Sequence, residues 1–398
     1  MFDFLLEALS VVQPQHVVMW IIGGLLIFIA IKYKIEPALL LPMGFGAILV
    51  NIPLTNVLTE ITEVCSVCGE TLKVGATCTV DGCSGVGVVN ETVGIIEWLF
   101  EEFIEVSEAM PILLFIGIGA MIDFGPLLSN PKLFLIGGAA QFGIFATILL
   151  ASLFFPIEDA ASIGIIGAAD GPTSILVANT LKSQFMGPIM VVAYSYMALV
   201  PIIQPPVVRM ITTKKERMIR MPYKPQSVTR LTKILFPIVV TMVAGLIAPK
   251  SLALVGFLMF GNLIRECGVL GTMSDTAQNN LANVITLLLG ITIACSMQAD
   301  AFIRLETLLI MGLGIFAFVF DTVAGVLFCK LLNVFSKNKI NPMLGAAGIS
   351  AFPMAARTVQ TMGLKEDNQN HLLMHAIGAN VSGQIASAIV GGLILSLL

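Results

Sequence analysis

Residues 167–174 read Gly-Ala-Ala-Asp-Gly-Pro-Thr-Ser and place one carboxylate, Asp170, between helix-breaking residues in an otherwise apolar run. A carboxylate at membrane depth is energetically costly, and for that reason it usually marks an ion or proton site. Gly171 and Pro172 favour a broken, re-entrant backbone, which membrane proteins tolerate only where it packs inside protein or lines a cavity. The pattern predicts a coupling-ion site at Asp170, and the alternative is a structural cap on a half-helix.

Neutral oxygen donors elsewhere in the chain could complete a sodium site around this carboxylate. Hard cations prefer several oxygen ligands, and one carboxylate with hydroxyl, amide and freed backbone oxygens supplies them with a single full negative charge. The candidate ligands besides Asp170 are Thr173, Asn341, Ser350 and Asn380. For the last three, helix capping or interhelical hydrogen bonding is an equally good interpretation.

The composition indicates which elements must position these residues. The 398-residue chain is 57% hydrophobic and only 12% charged, whereas an average soluble domain has roughly 25% charged residues; its mean hydropathy is +0.95. We therefore expect an all-α integral membrane protein with nine to eleven membrane segments. Residues 1–10 lack the positive charge of a cleavable signal peptide, so the first span is expected to remain. No basic, aromatic-interleaved stretch indicates nucleic acid as a partner.

Charge asymmetry predicts the orientation and the division of the chain. The densest basic cluster lies between residues 209 and 233, which the positive-inside rule places in the cytoplasm. Residues 60–108 contain ten carboxylates and one lysine and are expected on the outer side. The expected regions are N-terminal membrane helices (1–54), a small Cys-rich extramembrane insert (55–93), the rest of a first membrane repeat with the Asp170 element (94–208), a basic cytoplasmic loop (209–233) and a second membrane repeat (234–398).

The two membrane halves are predicted to be inverted-topology repeats. The recurring pairs, at offsets of 211 or 212 residues, are Pro37 and Pro249, Gly44-Phe45 and Gly256-Phe257, Asn130-Pro131 and Asn341-Pro342, and Gly167-Ala168 and Gly378-Ala379. Such repeats place substrate and ions near the membrane midplane, where broken helices meet. We expect broken or re-entrant helices at residues 167–174 in the first half and at residues 341–357 and 378–387 in the second.

Four cysteines in the insert have the spacing of a structural staple. Cys65 and Cys68 form a C-x2-C pair, and Cys78 and Cys83 form a C-x4-C pair after a gap of nine residues. Thiolates at such spacing resemble a small zinc knuckle. Two disulfides are the competing interpretation if the loop faces an oxidising exterior, and free thiols are the third. Either staple would hold a loop that is too small to have its own core.

Three motifs together resemble one family. They are GAADGPTSI around Asp170, YSYMALVPIIQPP from Tyr194 and NPMLGAAGISAFPMAAR from Asn341. They look like the beta subunit of the sodium-pumping biotin-dependent decarboxylases, whose members act on oxaloacetate, methylmalonyl-CoA, glutaconyl-CoA or malonate. The resemblance covers nearly the whole membrane part, and the length without the insert leans mildly toward the acyl-CoA members.

This resemblance implies a function, a set of essential residues and a set of partners. The chain would decarboxylate carboxybiotin and export Na⁺, with the family's essential residues at Asp170, Tyr196, Asn341, Gly345, Ser350 and Arg357; Gly345 joins the sodium-binding set. No lysine here lies in an Ala-Met-Lys-Met type of biotin-attachment motif, so biotin would be carried by a partner. The implied partners are a carboxyltransferase alpha subunit, a biotin carrier, a small membrane subunit, the lipid bilayer and, as an option, further copies of the chain in a homo-oligomer. The implied location is the bacterial or archaeal cell (inner) membrane, crossed several times.

The residue types suit this chemistry on physical grounds as well. Carboxybiotin needs a cation for its carboxylate, and the guanidinium of Arg357 could bind that carboxylate through two parallel hydrogen bonds. The ureido nitrogen needs a proton as carbon dioxide leaves, and Tyr196 with Ser350 could supply it. The alternatives are a helix-end arginine and an interfacial tyrosine. A secondary sodium-coupled transporter without decarboxylase chemistry would share Asp170 but would not need Arg357 and Tyr196 together.

Overall fold

The computed structural model describes residues 11–34, 36–53, 55, 57–65, 68, 71–72, 87–222, 228–336 and 338–398. The membrane part is helical, which confirms the predicted fold class. The helices of the first half are α1 (Pro14–Tyr33), α2 (Pro37–Val50), α3 (Ile95–Phe100), α4 (Ala109–Met121), α5 (Gly125–Ser129), α6 (Lys132–Ala140), α7 (Phe142–Ala151), α8 (Ile157–Gly164), α9 (Gly171–Thr180) and α10 (Met186–Ile211). A π-helical turn, Glu101–Val106, continues α3, and a 3-10 turn, Ile165–Ala168, continues α8.

The second half follows the basic loop and contains the longest helix. Its helices are α11 (Lys214–Arg217), α12 (Arg230–Ile247), α13 (Leu252–Glu266), α14 (Gly271–Asp275), α15 (Ala282–Ile293), α16 (Ala299–Phe302), α17 (Leu305–Phe335), α18 (Met354–Glu366) and α19 (Leu373–Leu397). Its other helical turns are 3-10 (Pro249–Ser251), π (Thr276–Leu281), 3-10 (Ala294–Met297) and 3-10 (Pro342–Gly348).

Three short strands lie among the described residues of the predicted insert. They are β1 (Glu60–Cys65), β2 (Thr71–Leu72) and β3 (Gly87–Thr92), in the order β2-β1-β3. Both pairings are antiparallel, with Glu63 opposite Leu72 and Val89. This small sheet is consistent with an insert that differs in structure from the helices on either side.

Seven helical stretches among the described residues are long and apolar enough to cross a membrane. The stretch Ile95–Val106 meets α4 at 71° and makes an eighth if the bent pair counts as one span. Helix α2 is apolar but has only 14 residues, fewer than the roughly 20 that a straight crossing needs. The finer prediction of nine to eleven segments, which includes half-helices, stays a prediction.

The helices differ in how deeply they lie inside the protein. Two-thirds (67%) of the apolar window of α19 is buried, whereas only 11% of that of α12 is. Beyond its first turn, which exposes Arg230 and Thr232, the outward side chains of α12 are apolar, as expected for a helix in contact with lipid. Helix α19 therefore lies centrally, and its polar side chains Asn380, Gln384 and Ser387 are buried in the protein.

The predicted breaks are confirmed at two stretches and wrong at the third. The first half breaks between the 3-10 turn Ile165–Ala168 and α9, and the second breaks between the 3-10 turn Pro342–Gly348 and α18. Residues 378–387, by contrast, lie within the continuous helix α19. That stretch has glycines but no proline, so no ring interrupts the hydrogen-bond ladder. Its glycines instead allow close packing, since a Cβ at Gly383 would collide with the backbone of Gly348.

The continuity of α19 at residues 378–387 also bears on the predicted inverted repeat. Pro37 begins α2, and Pro249 begins the 3-10 turn before α13. These two paired prolines therefore both stand at the start of a helical element. Gly167-Ala168 lies in a break, whereas Gly378-Ala379 lies inside α19. The repeat stays a prediction, as do the region boundaries derived from it.

Candidate functional site

Asp170 stands where the backbone of the first half is broken. Ala169 follows the 3-10 turn Ile165–Ala168 with a φ of 51°, in the left-handed region, and Asp170 is extended with φ −128° and ψ 99°. Helix α9 then begins at Gly171, with Pro172 in its first turn, where a missing N–H is not needed for the helix. The Gly-Pro pair thus sets the carboxylate at the start of a half-helix.

Three side chains donate hydrogen bonds to a single oxygen of Asp170. Its Oδ2 accepts from Thr173 Oγ1 at 2.6 Å, from Gln384 Nε2 at 3.1 Å and from Ser387 Oγ at 3.2 Å. The residue is only 3% exposed. Hydrogen bonds to a carboxylate stabilise its charged form, which is the form that can bind a cation.

Two of these donors were missing from the sequence prediction. Gln384 and Ser387 lie on α19 together with Asn380, at positions i, i+4 and i+7, and all three are buried. This spacing puts them on one face of the helix. A polar stripe on an apolar membrane helix is the signal that would have found them.

The two broken elements contact each other beside Asp170. Both the backbone N–H and the hydroxyl of Ser350 donate to the carbonyl oxygen of Ala168, at 3.1 Å and 2.8 Å. Asn380 Nδ2 donates to Ile349 O at 2.6 Å, while its Oδ1 is buried without a hydrogen-bond partner among the described residues. The structure therefore brings Thr173 and Ser350 to Asp170, while Asn380 contacts the backbone of Ile349, next to Ser350.

A cavity of about 200 Å³ opens onto this contact. Its polar lining comes from Glu36, Asp170, Tyr194, Asn283, Thr286, Ser350 and Gln384. A Cβ at Gly171 would collide with the Tyr194 ring, so a glycine is required where α9 meets this tyrosine. The Tyr194 hydroxyl is buried with no hydrogen-bond partner among the described residues.

Tyr196 lies away from this cavity. Its hydroxyl donates to Met311 O at 2.5 Å, in contact with α17. Two steps along a helix turn the side chain by about 200°, so Tyr194 and Tyr196 face different sides of α10. The structure thus places Tyr194, which the sequence analysis did not select, beside Asp170.

Asn341 and Gly345 also lie elsewhere. Asn341 Nδ2 donates to Arg217 O and to Ile219 O, each at 2.9 Å, and so ties the basic loop to the start of the second break. A Cβ on Gly345 would collide with the backbone of Gly325, so this glycine allows the close crossing of the break over α17. In this conformation neither residue contacts Asp170 through a hydrogen bond among those described.

Arg357 lines a second, cationic cavity. This cavity measures about 490 Å³, and we call it the vestibule. Its charged lining residues are Lys34, Glu36, Arg209, Arg357 and Lys365. Glu36 also lines the cavity at Asp170, so the two cavities adjoin at this side chain. Burial raises the pKa of Glu36, and the charge of Arg357 lowers it less.

Only half of the predicted cysteine cluster can be placed. Cys65 ends β1 and is buried, and Cys68 is exposed. Cys78 and Cys83 lie outside the described residues. Among the described residues, no group of three or more His, Cys, Asp and Glu side chains could hold a metal ion. Zinc, disulfides and free thiols stay the three predictions for this insert.

Comparisons with known proteins identify the family. The family model of the Na⁺-transporting oxaloacetate decarboxylase beta subunit matches residues 15–398. The chain is 48% identical over 387 residues to the methylmalonyl-CoA decarboxylase subunit beta of Propionigenium modestum, covering 96% of this chain and 94% of the relative. It is 44% identical over 408 residues to the oxaloacetate decarboxylase beta chain of Klebsiella pneumoniae, covering 95% and 94%. It is 41% identical over 404 residues to the glutaconyl-CoA decarboxylase subunit beta of Acidaminococcus fermentans, covering 99% and 98%.

These matches extend over nearly the whole chain and agree with the motifs around Asp170 and Arg357. The chain belongs to the family of beta subunits of Na⁺-transporting decarboxylases.

Proposed function

We propose that this protein decarboxylates carboxybiotin, which a partner subunit delivers, and couples this reaction to Na⁺ export. The observation that carries the proposal is the contact of the two broken elements at Ala168 and Ser350, next to a buried carboxylate. A cationic vestibule adjoins this contact through Glu36. This arrangement supports the proposal, because the proposed cation site and the proposed carboxylate site would be neighbours.

The vestibule supplies what the substrate carboxylate needs. Arg357 is exposed to it from α18, and a guanidinium can bind a carboxylate through two parallel hydrogen bonds. In the reaction, the bond between the ureido nitrogen and the carboxyl carbon breaks, its electron pair stays on nitrogen, and nitrogen takes up one proton. Arg357 holds the carboxylate until that bond breaks.

The ureido nitrogen also needs a proton donor. We retain Tyr196 and Ser350 as the catalytic hydroxyls, but Tyr196 donates to Met311 O and must leave that bond to reach substrate. Ser350 already lines the cavity. Tyr194 lines the cavity at Asp170, whereas Tyr196 does not. The decarboxylation rates of Tyr194→Phe and Tyr196→Phe decide which phenol donates the proton.

The sodium ion is the transported species, and the Asp170 carboxylate supplies the negative charge of its binding site. Thr173, Ser350 and Asn380 supply neutral oxygens to this site. Among the described residues, Asn380 Oδ1 is buried without a hydrogen-bond partner, and a bound cation would offset the cost of burying it. Asn341 and Gly345 complete the proposed sodium-binding set only if the second break shifts, since both contact other elements in this conformation.

Coupling then has a simple electrostatic form. Sodium neutralises Asp170, which lowers the cost of moving this carboxylate through the membrane. A proton from outside replaces sodium on the carboxylate and is consumed when carboxybiotin loses carbon dioxide. A bundle that carries both broken elements would move between the two sides of the membrane.

The proposed partners follow from this reaction. A carboxyltransferase alpha subunit would load biotin, a carrier would bring it to the vestibule, and a small membrane subunit would complete the complex. We place the complex in the cell membrane of a bacterium or archaeon, with the basic residues between 209 and 233 in the cytoplasm.

The test is decarboxylation of free carboxybiotin by the complex in liposomes, with and without Na⁺. We expect sodium-stimulated turnover in the wild type and its loss in Asp170→Asn. Asp300→Asn, which changes an exposed carboxylate, is the matched control and should turn over normally. Sodium flux without any decarboxylation would instead identify a secondary sodium-coupled transporter.

A further inference from the structure

Glu36 occupies an unusual place in the chain between α1 and α2. Lys34 and Glu36 both have left-handed backbones, with φ of 53° and 36°, a conformation that costs about 1–2 kcal/mol for a residue with a side chain. Glycine would avoid this cost. Strained residues that keep a charged side chain point to a function for that side chain.

Glu36 is the one residue of the described lining that the two cavities share. In the vestibule Glu36 shares the lining with four cations, Lys34, Arg209, Arg357 and Lys365, and among the described lining residues it is the only acidic one. In the other cavity it stands with Asp170 and Ser350. Glu36 therefore lies where the two cavities meet.

Glu36 interacts with Arg357 without being locked to it. The two side chains attract each other electrostatically, but they form no ion pair within 4.0 Å among those of the described residues. A carboxylate that approaches a guanidinium loosely can be replaced by another carboxylate with better geometry. The carboxylate of carboxybiotin has the same charge and shape as that of Glu36.

We propose that Glu36 is a positioning residue that holds Arg357 and closes the passage between the two cavities until the carboxylate of carboxybiotin takes its place. This inference rests on the proposed function and adds a gate through which substrate binding controls sodium movement. When substrate binds Arg357, Glu36 is released and the passage to Asp170 opens. Sodium movement then occurs only when carboxybiotin is bound.

The experiment uses the complete complex in liposomes with Glu36→Gln. Two quantities are measured: KM and kcat for free carboxybiotin, and ²²Na⁺ flux with and without carboxybiotin. We expect a KM about threefold to tenfold lower, because Arg357 no longer has an internal competitor, and each tenfold corresponds to about 1.4 kcal/mol. We also expect sodium flux without substrate and fewer ions exported per carbon dioxide released.

Further variants protect this test against a folding defect. Glu36→Asn is also neutral and tolerates the left-handed backbone, so it should reproduce both effects even if the Gln variant is unstable. Glu36→Asp keeps the charge and should restore low substrate-free flux. Glu306→Gln, at an exposed position in the first turn of α17, is the control and should match the wild type.

The outcomes separate the gate from the proposed function. If the wild type decarboxylates carboxybiotin and both neutral variants keep its KM and its low substrate-free flux, the gate is wrong and the decarboxylase remains. If the wild type releases no carbon dioxide from carboxybiotin, the proposed function fails, and the gate fails with it. A change in kcat alone, with KM and flux unchanged, would also overturn the gate.

Discussion

Asp170 and Asp321 are both buried in the membrane part, and their surroundings differ. Asp170 receives hydrogen bonds from three side chains and lines a cavity. Asp321, on α17, has no exposed surface, and neither of its carboxyl oxygens has a hydrogen-bond partner among the described residues. The amides of Gly143 and Ile144 face it at the start of α7, without the geometry of a hydrogen bond.

Close packing replaces polar partners at Asp321. A Cβ at Gly143 would lie 2.5 Å from its Oδ1, and a Cβ at Gly167 would lie 2.5 Å from its Oδ2. A charged carboxylate is stable in such a place only with a counter-ion, whereas a protonated one can stay. We therefore expect Asp170 to exchange ions and Asp321 to act as a neutral packing residue.

The largest expected effect separates the two carboxylates by sodium affinity. Removing one partner of a buried charge pair costs about 3–5 kcal/mol, so Asp170→Asn should weaken Na⁺ binding by roughly 100-fold or more. Asp321→Asn should leave it almost unchanged, since amide and protonated carboxyl have similar shapes. Calorimetric titration of the purified protein with Na⁺ measures both; an equal loss in the two variants would make Asp321 an ion site as well.

The second effect is on stability and comes from the glycines around Asp321. Gly143→Ala should lower the free energy of unfolding by about 1–3 kcal/mol through overpacking. Gly138→Ala is a matched control on α6, because nothing lies within 4 Å of its added Cβ. Thermal unfolding in detergent compares them, and an unchanged transition in Gly143→Ala would show that Asp321 has room for an ion or water.

A third effect tests the donors on α19. A hydrogen bond to a charged group contributes about 1.5–3 kcal/mol, so Gln384→Ala should weaken Na⁺ binding by roughly tenfold. Ser387→Ala should also weaken Na⁺ binding. Ser396→Ala, near the end of the same helix, should bind Na⁺ like the wild type. Wild-type affinity in both inner variants would remove α19 from the ion site.

The smallest effect concerns Glu36, a carboxylate at a cavity rim outside the membrane helices. Burial raises its pKa above the ordinary value of 4.5, and the charge of Arg357 offsets this only in part. The folded protein therefore binds this proton more tightly than the unfolded chain, and stability is lost as pH rises from 4.5 through the folded pKa. Glu36→Gln should unfold at a higher temperature than the wild type at pH 8. The difference should shrink as pH falls toward 4.5, and thermal unfolding across this range measures it.

The break at Asp170 could be predicted because its cause is local. Gly171 and Pro172 interrupt a helix through their own backbone chemistry, and Thr173 reaches Asp170 from three residues away. The break at residues 341–357 was predictable for the same reason, since proline occurs at 342 and 353. The glycines at 378 and 383 were misread, because a glycine in a membrane helix serves close packing as readily as it serves a break.

The partners across the membrane bundle could not be predicted. Tyr194 and Tyr196 are two residues apart in one motif, and the sequence does not say which of them faces Asp170. Only the rotation of α10 against its neighbours places Tyr194 at the cavity and Tyr196 against Met311.

The sequence by itself determined the membrane class, the family motifs and the position of the ionisable group, because composition and proline act along the chain. Tertiary structure alone decided that Gln384 and Ser387 complete the cage of Asp170. It also decided that Glu36 stands between the vestibule and that cage. The physical reason is that hydrogen bonds and cavities depend on distances between segments hundreds of residues apart, which packing sets and local residue types do not.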